Sequence, residues 1–210
     1  MKLYMVPLAP NPTKVMLYIA EREALGLQLG IEQVVVNTVK GRHKEPAHLA
    51  RNPFGTVPVL ELDDGSFLLE SLAIIEYLED RYPDGGLLGR TPEERAHARD
   101  IERVVDVRLC TPLGAFAHAT KSPLGRPPDA AQAAKALEIA QPPLAYLESL
   151  LADGHPYICG AAVSVADCTL QASLQLLRYI GEDVLQGRPR LQAWDTRVRA
   201  RPAAQAVLRW

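Results

Sequence analysis

The segment Asn52-Pro53-Phe54-Gly55-Thr56-Val57-Pro58 places a proline at the start of a β-type run, where it cannot donate a hydrogen bond to a sheet. A cis bond between Val57 and Pro58 would explain this proline. It would turn the Val57 amide outward, so that an extended peptide ligand could pair with it as an added strand. The alternative is a trans proline, since only about 5–6% of X–Pro bonds are cis. The segment alone leaves both interpretations open.

Glu70-Ser71 marks the point where a strand gives way to a helix. Ser71 is placed to cap that helix through its hydroxyl oxygen. The free amides and positive dipole of a helix N-terminus also suit a carboxylate, and Glu70 beside it suits an ammonium group. The pair therefore fits both a simple helix cap and a site for the amino-acid end of a ligand.

Hydrophobic periodicity predicts the elements that position these residues. Residues 2–6, 29–36, 57–62 and 66–69 have the pattern of strands, and residues 13–24 and 71–82 the pattern of helices. A helical connection makes the first two strands parallel, and the Asp64-Gly65 turn makes the last two antiparallel. The first 82 residues thus predict a mixed four-stranded sheet flanked by helices.

Residues 83–91 are rich in turn formers and predict a linker, and everything from residue 92 to 210 has helical character. The proline and glycine cluster at residues 122–128 should break the first helix. Pro142-Pro143 should kink or interrupt the next one, because proline removes a backbone donor. Ser164 and Asp167 are spaced as reciprocal partners of a helix cap, a structural role.

Composition narrows the possible partners. The 210 residues carry a formal net charge of -2, which gives no electrostatic reason to expect nucleic acid or an anionic membrane. The apolar runs fall short of the ~20 residues of a membrane helix, and no signal-peptide pattern is visible. Three cysteines without a CxxC spacing encode neither a zinc site nor a dithiol motif. We therefore expect a cytoplasmic protein that binds no metal.

In their order along the chain, these motifs resemble the glutathione transferases, above all the phi class and related bacterial members. The likeness covers essentially the whole chain and implies a thioredoxin-like α/β N-terminal domain, an all-helical C-terminal domain and a homodimer. It is carried by Lys14-Val15, Gly41-Arg42-His43-Lys44-Glu45-Pro46, residues 52–58, Glu70-Ser71, Gly160-Ala161-Ala162-Val163-Ser164-Val165-Ala166-Asp167 and residues 189–202.

The resemblance implies a glutathione site. Val57, beside a cis Pro58, would hydrogen-bond the cysteinyl backbone of glutathione, and Glu70 and Ser71 would hold its γ-glutamyl end. His43 and Lys44 would face the glycine carboxylate, with a solvated surface loop as the alternative for both residues.

Two neighbouring positions depart from the pattern or allow a second interpretation. Thr56 stands where the family usually has a glutamine that contacts the ligand. Phe54 matches an aromatic residue that enters a pocket of the partner subunit in several classes, and a position in the core of its own chain is the alternative.

Glutathione chemistry requires a thiolate, and a free thiol has a pKa of about 8.5. Where related sequences place a serine, this chain has Ala9, which cannot donate, and no cysteine is near. Asn11 becomes the leading candidate donor to the thiolate, aided by the helix dipole, with Thr13 second. Asn11 before Pro12 is equally the signature of a helix N-cap.

The second substrate should bind between the domains, against the helix of residues 92–120. Arg103, Asp106, Cys110 and His118 are the polar residues on that helix, although Cys110 is also typical of a small buried hydrophobe. We expect the chain to conjugate glutathione, as co-substrate, to a hydrophobic electrophile. The alternatives are a glutathione-dependent disulfide or peroxide reductase and, favoured by Ala9, a non-catalytic glutathione-binding regulatory protein.

Overall fold

A mixed four-stranded sheet forms the centre of the first third of the chain. In the computed structural model, which describes residues 1–209, the strand order is β2-β1-β3-β4. β1 is parallel to β2 and antiparallel to β3, and β3 and β4 form the expected hairpin, so the predicted strand directions are confirmed. Each strand is shorter than the apolar run that encodes it. The strands are β1 (Lys2–Met5), β2 (Glu32–Val35), β3 (Val59–Glu61) and β4 (Phe67–Leu68).

Helices α1 (Pro10–Ala24), α2 (Pro46–Leu49) and α3 (Ser71–Arg81) complete this part of the molecule. α1 begins three residues earlier than its apolar pattern predicts, because Pro10 has the fixed φ of a first helical residue and needs no hydrogen bond there. Residues 12–19 are buried on every side of α1. A helix buried all round must have packing partners on both faces, and here the second face is covered by the helical half of the chain.

From Pro92 onward the regular elements are helices, as predicted. The molecule is therefore a thioredoxin-like α/β domain followed by an all-helical domain, which confirms the predicted fold class. The helices are α4 (Pro92–Arg103), a π-helical segment (Val104–Cys110), α5 (Thr111–Lys121), α6 (Ala130–Leu150), α7 (Val165–Ile180), α8 (Pro189–Arg199) and α9 (Pro202–Val207).

α4, the π-helical segment and α5 run on from one another. Thr91 and Glu94 form a reciprocal cap at the beginning of α4. At the other end, Thr111 donates its backbone N–H and its hydroxyl to the carbonyl of Asp106, five residues back. Pro112 follows and has no N–H to donate, so the wider π spacing occurs where the α-helical ladder would lose a bond.

Prolines act differently at two places in the later helices. α6 continues through Pro142 and Pro143, so the predicted interruption does not occur. The carbonyls that lose their donors belong to Glu138 and Ile139, which are exposed and can bond to water. Conversely, the last helical stretch divides between α8 and α9 at Arg201, because Pro202 cannot continue a helix.

A buried ion pair holds the linker between the two domains. Arg22 in α1 and Glu79 in α3 are 2.9 Å apart, and both are buried. The carboxylate of Glu79 accepts the backbone N–H groups of Leu87 and Leu88, while Arg22 donates to the carbonyls of Tyr82 and Asp84. The linker is therefore fixed by side chains of the α/β domain.

α1 joins the two domains by packing against α7 and α9. Arg201, just before α9, donates to both carboxylate oxygens of Glu21 in α1, at 2.7 and 2.6 Å, and to the hydroxyl of Tyr157. Val207 and Leu208 complete the apolar core around α1. Among residues 1–209, no helix is both long and apolar enough to cross a membrane.

Candidate functional site

Four segments with the predicted site residues leave the sheet at the same edge. β1 and β2 run parallel and end opposite each other at Met5 and Val35. β3 is antiparallel to β1 and starts opposite Tyr4, and β4 is antiparallel to β3 and ends beside its start. The β1–α1 turn, residues 36–58 after β2, the entry to β3 and the exit from β4 therefore meet at one edge. The strand order thus brings Asn11, His43, Lys44, Val57, Glu70 and Ser71 to one end of the domain.

The Lys44 side chain lies directly against the segment that enters β3. Its Nζ donates to the carbonyl of Phe54 over 3.3 Å. Gly55 has a φ of 60°, and a Cβ atom at this position would lie 2.8 Å from Lys44 Nζ and 2.9 Å from the His43 carbonyl oxygen. Only glycine fits this left-handed, closely packed position without strain. The His43-Lys44 segment and the entry to β3 thus form one surface.

Buried Asn52 sets the shape of the same segment. Its amide donates to the Thr56 carbonyl at 3.0 Å and to the Thr56 hydroxyl oxygen at 2.8 Å, and its carbonyl oxygen accepts the Phe54 N–H. His48 Nε2 lies 2.9 Å from the Thr56 carbonyl oxygen. Thr56 is therefore engaged within the chain, and its side chain supports the segment.

The peptide bond between Val57 and Pro58 is cis, which settles the alternatives left open by the sequence. Val57 is half-buried at the beginning of β3. In the part of the chain that the structure describes, its N–H donates to no acceptor. Val57 therefore offers an unused backbone donor at the edge where the four segments meet.

Ser71 does not cap α3, contrary to the sequence-based prediction. Glu70 occupies the cap position, Ser71 is the first helical residue, and no side chain accepts from the first-turn amides. Ser71 is buried and Glu70 is exposed. The first turn of α3 thus keeps its amides and positive dipole available for an anion, with an acidic side chain beside it.

Asn11 is not a helix cap either. α1 begins at Pro10 with Ala9 in the cap position, and no side chain caps the helix. Pro10 and Pro12 have no N–H, so Asn11 supplies the only backbone donor of the first three helical residues. The Asn11 side chain is exposed. Its backbone N–H and its side-chain amide are therefore both available at the beginning of α1.

Leu8 enters this turn with a φ of 73°. A bulky residue in the left-handed region costs about 1–3 kcal/mol, and such strain is concentrated at functional sites. It occurs directly before Ala9, the position whose side chain cannot donate. The β1–α1 turn is the strained part of the candidate site.

Other common thiolate stabilisers are engaged elsewhere. The Tyr4 hydroxyl donates to Glu61 at 2.6 Å, and the Tyr18 hydroxyl donates to Glu79 at 2.8 Å inside the buried ion pair. Thr13, the second candidate, is only 1% exposed, and its hydroxyl oxygen accepts from Gln175 at 3.2 Å. Thr13 therefore makes a buried contact to the helical domain through its hydroxyl oxygen.

His43 has an unusual environment for a half-exposed histidine. Burial, followed by the charges of Lys44 and His48, lowers its pKa below the ordinary 6.5. Its Nδ1 is buried and has no partner in residues 1–209. At neutral pH the imidazole is therefore uncharged, and Lys44 carries the positive charge of this surface.

Arg103 and Asp106 belong to an ion cluster with Lys14, which the sequence did not predict. Lys14 Nζ lies 2.7 Å from Asp106 Oδ1 and 3.4 Å from Glu102 Oε1, and Arg103 pairs with both carboxylates. Burial opposes ionisation of Asp106, but Lys14 and Arg103 outweigh it and lower its pKa. Both predicted pocket residues thus act in a contact between the domains.

The remaining polar residues of this long helix also have partners in the chain. The Cys110 thiol points at the Thr169 carbonyl, and burial raises its pKa to about 12. Cys110 is partly buried and packs against the core of the helical domain. His118 Nδ1 lies 2.8 Å from the Ser122 hydroxyl oxygen. Within residues 1–209, no three His, Cys, Asp or Glu side chains form a group that could hold a metal ion.

An apolar groove of about 1130 Å³ lies between the π-helical segment with α5 and α6. Neither Arg103, Asp106 nor Cys110 lines it, and no residue of the α/β domain does. We call it the α5–α6 groove. Val107, Ile139 and Tyr146 expose apolar surface in it, and Pro142 and Pro143 form part of its wall.

Comparison with known proteins gives a consistent result. The family model "Glutathione S-transferase, N-terminal domain" matches residues 3–90, and "Glutathione S-transferase, C-terminal domain" matches residues 129–194. Glutathione S-transferase 2 of Saccharomyces cerevisiae is 31% identical over 212 residues, which cover 99% of this chain and 89% of that protein.

Solved structures extend the similarity to three dimensions. The crystal structure of Gtt2 from Saccharomyces cerevisiae has a TM-score of 0.85 at 31% identity, covering 99% of this chain and 100% of that chain. A structure of glutathione S-transferase I bound with lactoylglutathione has a TM-score of 0.80 at 30% identity, covering 98% of this chain and 97% of that chain.

Proposed function

The chain belongs to the glutathione S-transferase family, and from this premise we propose that it joins the thiolate of glutathione to a hydrophobic electrophile. The glutathione thiol gives its proton to solvent. The sulfur then forms a bond to an electrophilic carbon, and the leaving group departs with the electron pair of its own bond. Glutathione is the co-substrate, and the reaction as written needs no metal.

The observation that supports this proposal is that four groups able to bind glutathione lie at the same end of the sheet. A tripeptide with two carboxylates, one ammonium group and an extended cysteinyl centre needs complementary groups in that order. The uncapped first turn of α3 suits the γ-glutamyl carboxylate, and exposed Glu70 suits its ammonium group. The free Val57 N–H suits the cysteinyl carbonyl, and Lys44 with His43 suits the glycine carboxylate.

We assign the stabilisation of the thiolate to Asn11. Ala9 has no donor, the Tyr4 hydroxyl donates to Glu61, and Thr13 is buried and accepts from Gln175. Asn11 lies at the positive end of α1 and has both a backbone and a side-chain donor free. Hydrogen bonds to a charged group favour that charged form, so these donors lower the thiol pKa. Ser71 and Glu70 then orient the tripeptide without taking part in the chemistry.

We also propose a homodimer in which Phe54 of each subunit enters the α5–α6 groove of the other. Phe54 is 69% exposed, and the hydrogen bonds of Asn52 hold the turn that presents it. The groove is apolar and lined by helices of the second domain alone, so it does not adjoin the proposed thiol position. An exposed aromatic side chain and an exposed apolar groove are complementary surfaces for two copies of one chain.

A conjugation assay tests the proposed function. With an aryl halide as electrophile, we expect measurable turnover in the native protein and a loss of about 100-fold in Asn11→Ala, the cost typical of removing an oxyanion donor. Asp129→Asn is the control, because Asp129 is an exposed residue at the start of another helix, where its carboxylate accepts the Gln132 N–H. Turnover of Asn11→Ala equal to that of the native protein would exclude Asn11 from the chemistry.

Ala9 favours a second candidate, a non-catalytic protein that binds glutathione and keeps it as the thiol. The variant Ala9→Ser separates the two functions. If native protein binds glutathione without turnover and Ala9→Ser gains activity, the non-catalytic function is supported. Turnover with a disulfide or hydroperoxide in place of an aryl halide would identify a reductase instead.

A further inference from the structure

Gln175 connects the beginning of α1 to the C-terminal segment. It lies in α7 and is 1% exposed. Its side-chain Nε2 donates to the Thr13 hydroxyl oxygen at 3.2 Å, and its Oε1 accepts the backbone N–H of Arg209 at 2.7 Å. One buried amide therefore bridges two segments that are far apart in the sequence.

At one end of this bridge, Thr13 belongs to the turn that contains Asn11. The Thr13 N–H donates to the Ala9 carbonyl at 3.0 Å, which closes the first turn of α1 around residues 9–13. Pro10 and Pro12 stiffen the backbone within the turn. The turn also carries the strained Leu8 at its entry. A turn with few internal hydrogen bonds depends on its outside contacts for its exact orientation, and Gln175 supplies a polar contact of this kind.

The Arg209 end is fixed by the packing of α9. Leu208 is buried in the core around α1, and its N–H donates to the Ala204 carbonyl at 2.8 Å. The Arg209 N–H then points into the molecule at Gln175, whereas its guanidinium donates back to the carbonyls of Ala206 and Leu208. Residues 202–209 thus contact Gln175 through a backbone N–H and not through a side chain.

We propose that Gln175 is a positioning residue for the thiolate site. It holds the first turn of α1 against the C-terminal segment and so sets the direction in which Asn11 presents its donors to the glutathione sulfur. This inference rests on the proposed function. It predicts that a residue without contact to glutathione controls the acidity of the bound thiol, while the carboxylate-binding groups at the other end of the site are unaffected.

The test compares three variants with a matched control. Gln175→Met removes both hydrogen bonds of the bridge at nearly constant volume. Thr13→Val removes the hydroxyl oxygen that accepts from Gln175, and Arg209→Pro removes the backbone N–H that donates to Gln175. Arg209→Ala keeps the backbone N–H and serves as the control. Thermal unfolding first identifies the variants that fold. Because the three changes act on different segments, the loss of one variant leaves the other two for the comparison.

The first readout is functional. We expect the bridge variants to raise the pKa of the bound glutathione thiol, measured by ultraviolet difference absorbance against pH. We also expect kcat to fall about 10- to 100-fold, the usual range for a small misplacement at a distance from the chemistry. Affinity for S-methylglutathione, which lacks the thiol, should stay within about twofold, as should every property of Arg209→Ala. An unchanged thiol pKa and kcat in folded bridge variants would overturn the inference.

The second readout does not depend on the reaction. Hydrogen–deuterium exchange of the peptide covering residues 5–16 should be faster in the bridge variants than in native protein and Arg209→Ala. If native protein forms no thiolate, the proposed function fails, and the exchange experiment still decides whether Gln175 orders this turn. Unchanged exchange would overturn the structural link itself.

Discussion

Lys14 Nζ lies 2.7 Å from the Asp106 carboxylate, in an ion pair that joins the α/β domain to the helical domain. Lys14 is 1% exposed, and the same cluster includes the fully buried Glu102, which also accepts from Thr169. A buried cation between two carboxylates stabilises only while its partners remain. The pair therefore fixes the position of the π-helical segment relative to α1.

Replacement of Lys14 by methionine should destabilise the protein by about 3–5 kcal/mol, because Glu102 and Asp106 lose their buried cation and keep only the more exposed Arg103. Urea unfolding at neutral pH measures this change. The control is Arg42→Ala, which breaks an exposed pair with Glu45 and should change the stability little. A Lys14→Met protein as stable as the native one would contradict a structural role for the cluster.

The same variant has a predicted pH dependence. The pKa of Asp106 is lowered from its ordinary 3.8, so its contribution to stability is present above that pH and is lost as the pH falls through the lowered pKa. The stability difference between native protein and Lys14→Met should therefore be largest near neutral pH and narrow below about pH 4. Urea midpoints across this range measure it, and a constant difference would contradict the assignment.

His43 predicts a pH dependence of ligand binding. Its pKa lies below 6.5, so it gains a positive charge only in acid. Calorimetry should show S-methylglutathione binding about two- to fivefold more tightly once the pH has fallen through the lowered pKa of His43 than at pH 7, the effect of an exposed ion pair. His43→Gln should lose this dependence. Equal pH dependence in both proteins would exclude His43 from the carboxylate site.

The lowered pKa of His43 also affects the free protein. The unfolded chain binds the proton more readily than the folded chain, so the stability contribution falls as the pH drops below 6.5 and towards the folded-state pKa. This loss should be absent from His43→Gln when unfolding is followed over the same pH range.

The hydrogen bonds of Asp167 should stabilise the helical domain. Its two oxygens accept from the N–H of Ile158, the indole N–H of Trp194, and both the N–H and the hydroxyl of Ser164. Asp167→Asn would turn an amide NH₂ toward one of these donors and leave it unpaired, at a cost of about 1–3 kcal/mol. Asp129→Asn at the exposed cap of α6 should cost almost nothing, since asparagine caps equally well. Equal unfolding midpoints for the two variants would contradict the prediction.

The proposed dimer should depend on Phe54. A two-fold dimer buries two copies of this side chain, and each contributes about 1.5–3 kcal/mol, so Phe54→Ala should weaken the dimer by about 3–6 kcal/mol. Sedimentation equilibrium measures the change. Tyr179→Ala removes an aromatic residue that is 53% exposed outside the α5–α6 groove, and it should leave the dimer intact. A monomeric native protein, or an unchanged dimer in Phe54→Ala, would exclude this interface.

The sheet could be predicted because its signals are local. Alternating apolar runs, the Asp64-Gly65 turn and the helix between the first two strands specify strand direction, and direction alone brings the ends of the strands to one edge. The cap predicted at Ser71, and the cap that was the alternative for Asn11, do not form for a local reason. A cap residue and a proline at the first turn are compatible with several helix starts, and the structure uses the earlier one in each case.

The partners of Asp106 and Thr13 could not be predicted. Lys14 lies 92 residues from Asp106, and Gln175 lies 162 residues from Thr13, so no pattern within either segment indicates the pairing. A polar residue on a helix facing a cleft looks the same in sequence whether it faces a ligand or an ion-pair partner. Only the packing of α1 between the sheet and α7 distinguishes them.

A titration of the native protein with glutathione, followed by calorimetry and by ultraviolet difference absorbance near neutral pH, tests the central claim most directly. We predict that glutathione binds and that a thiolate absorbance band appears at a pH below the ordinary thiol pKa of about 8.5. Binding without the thiolate band would contradict the role of Asn11 and favour a non-catalytic protein. No binding at millimolar glutathione would contradict the proposed site as a whole.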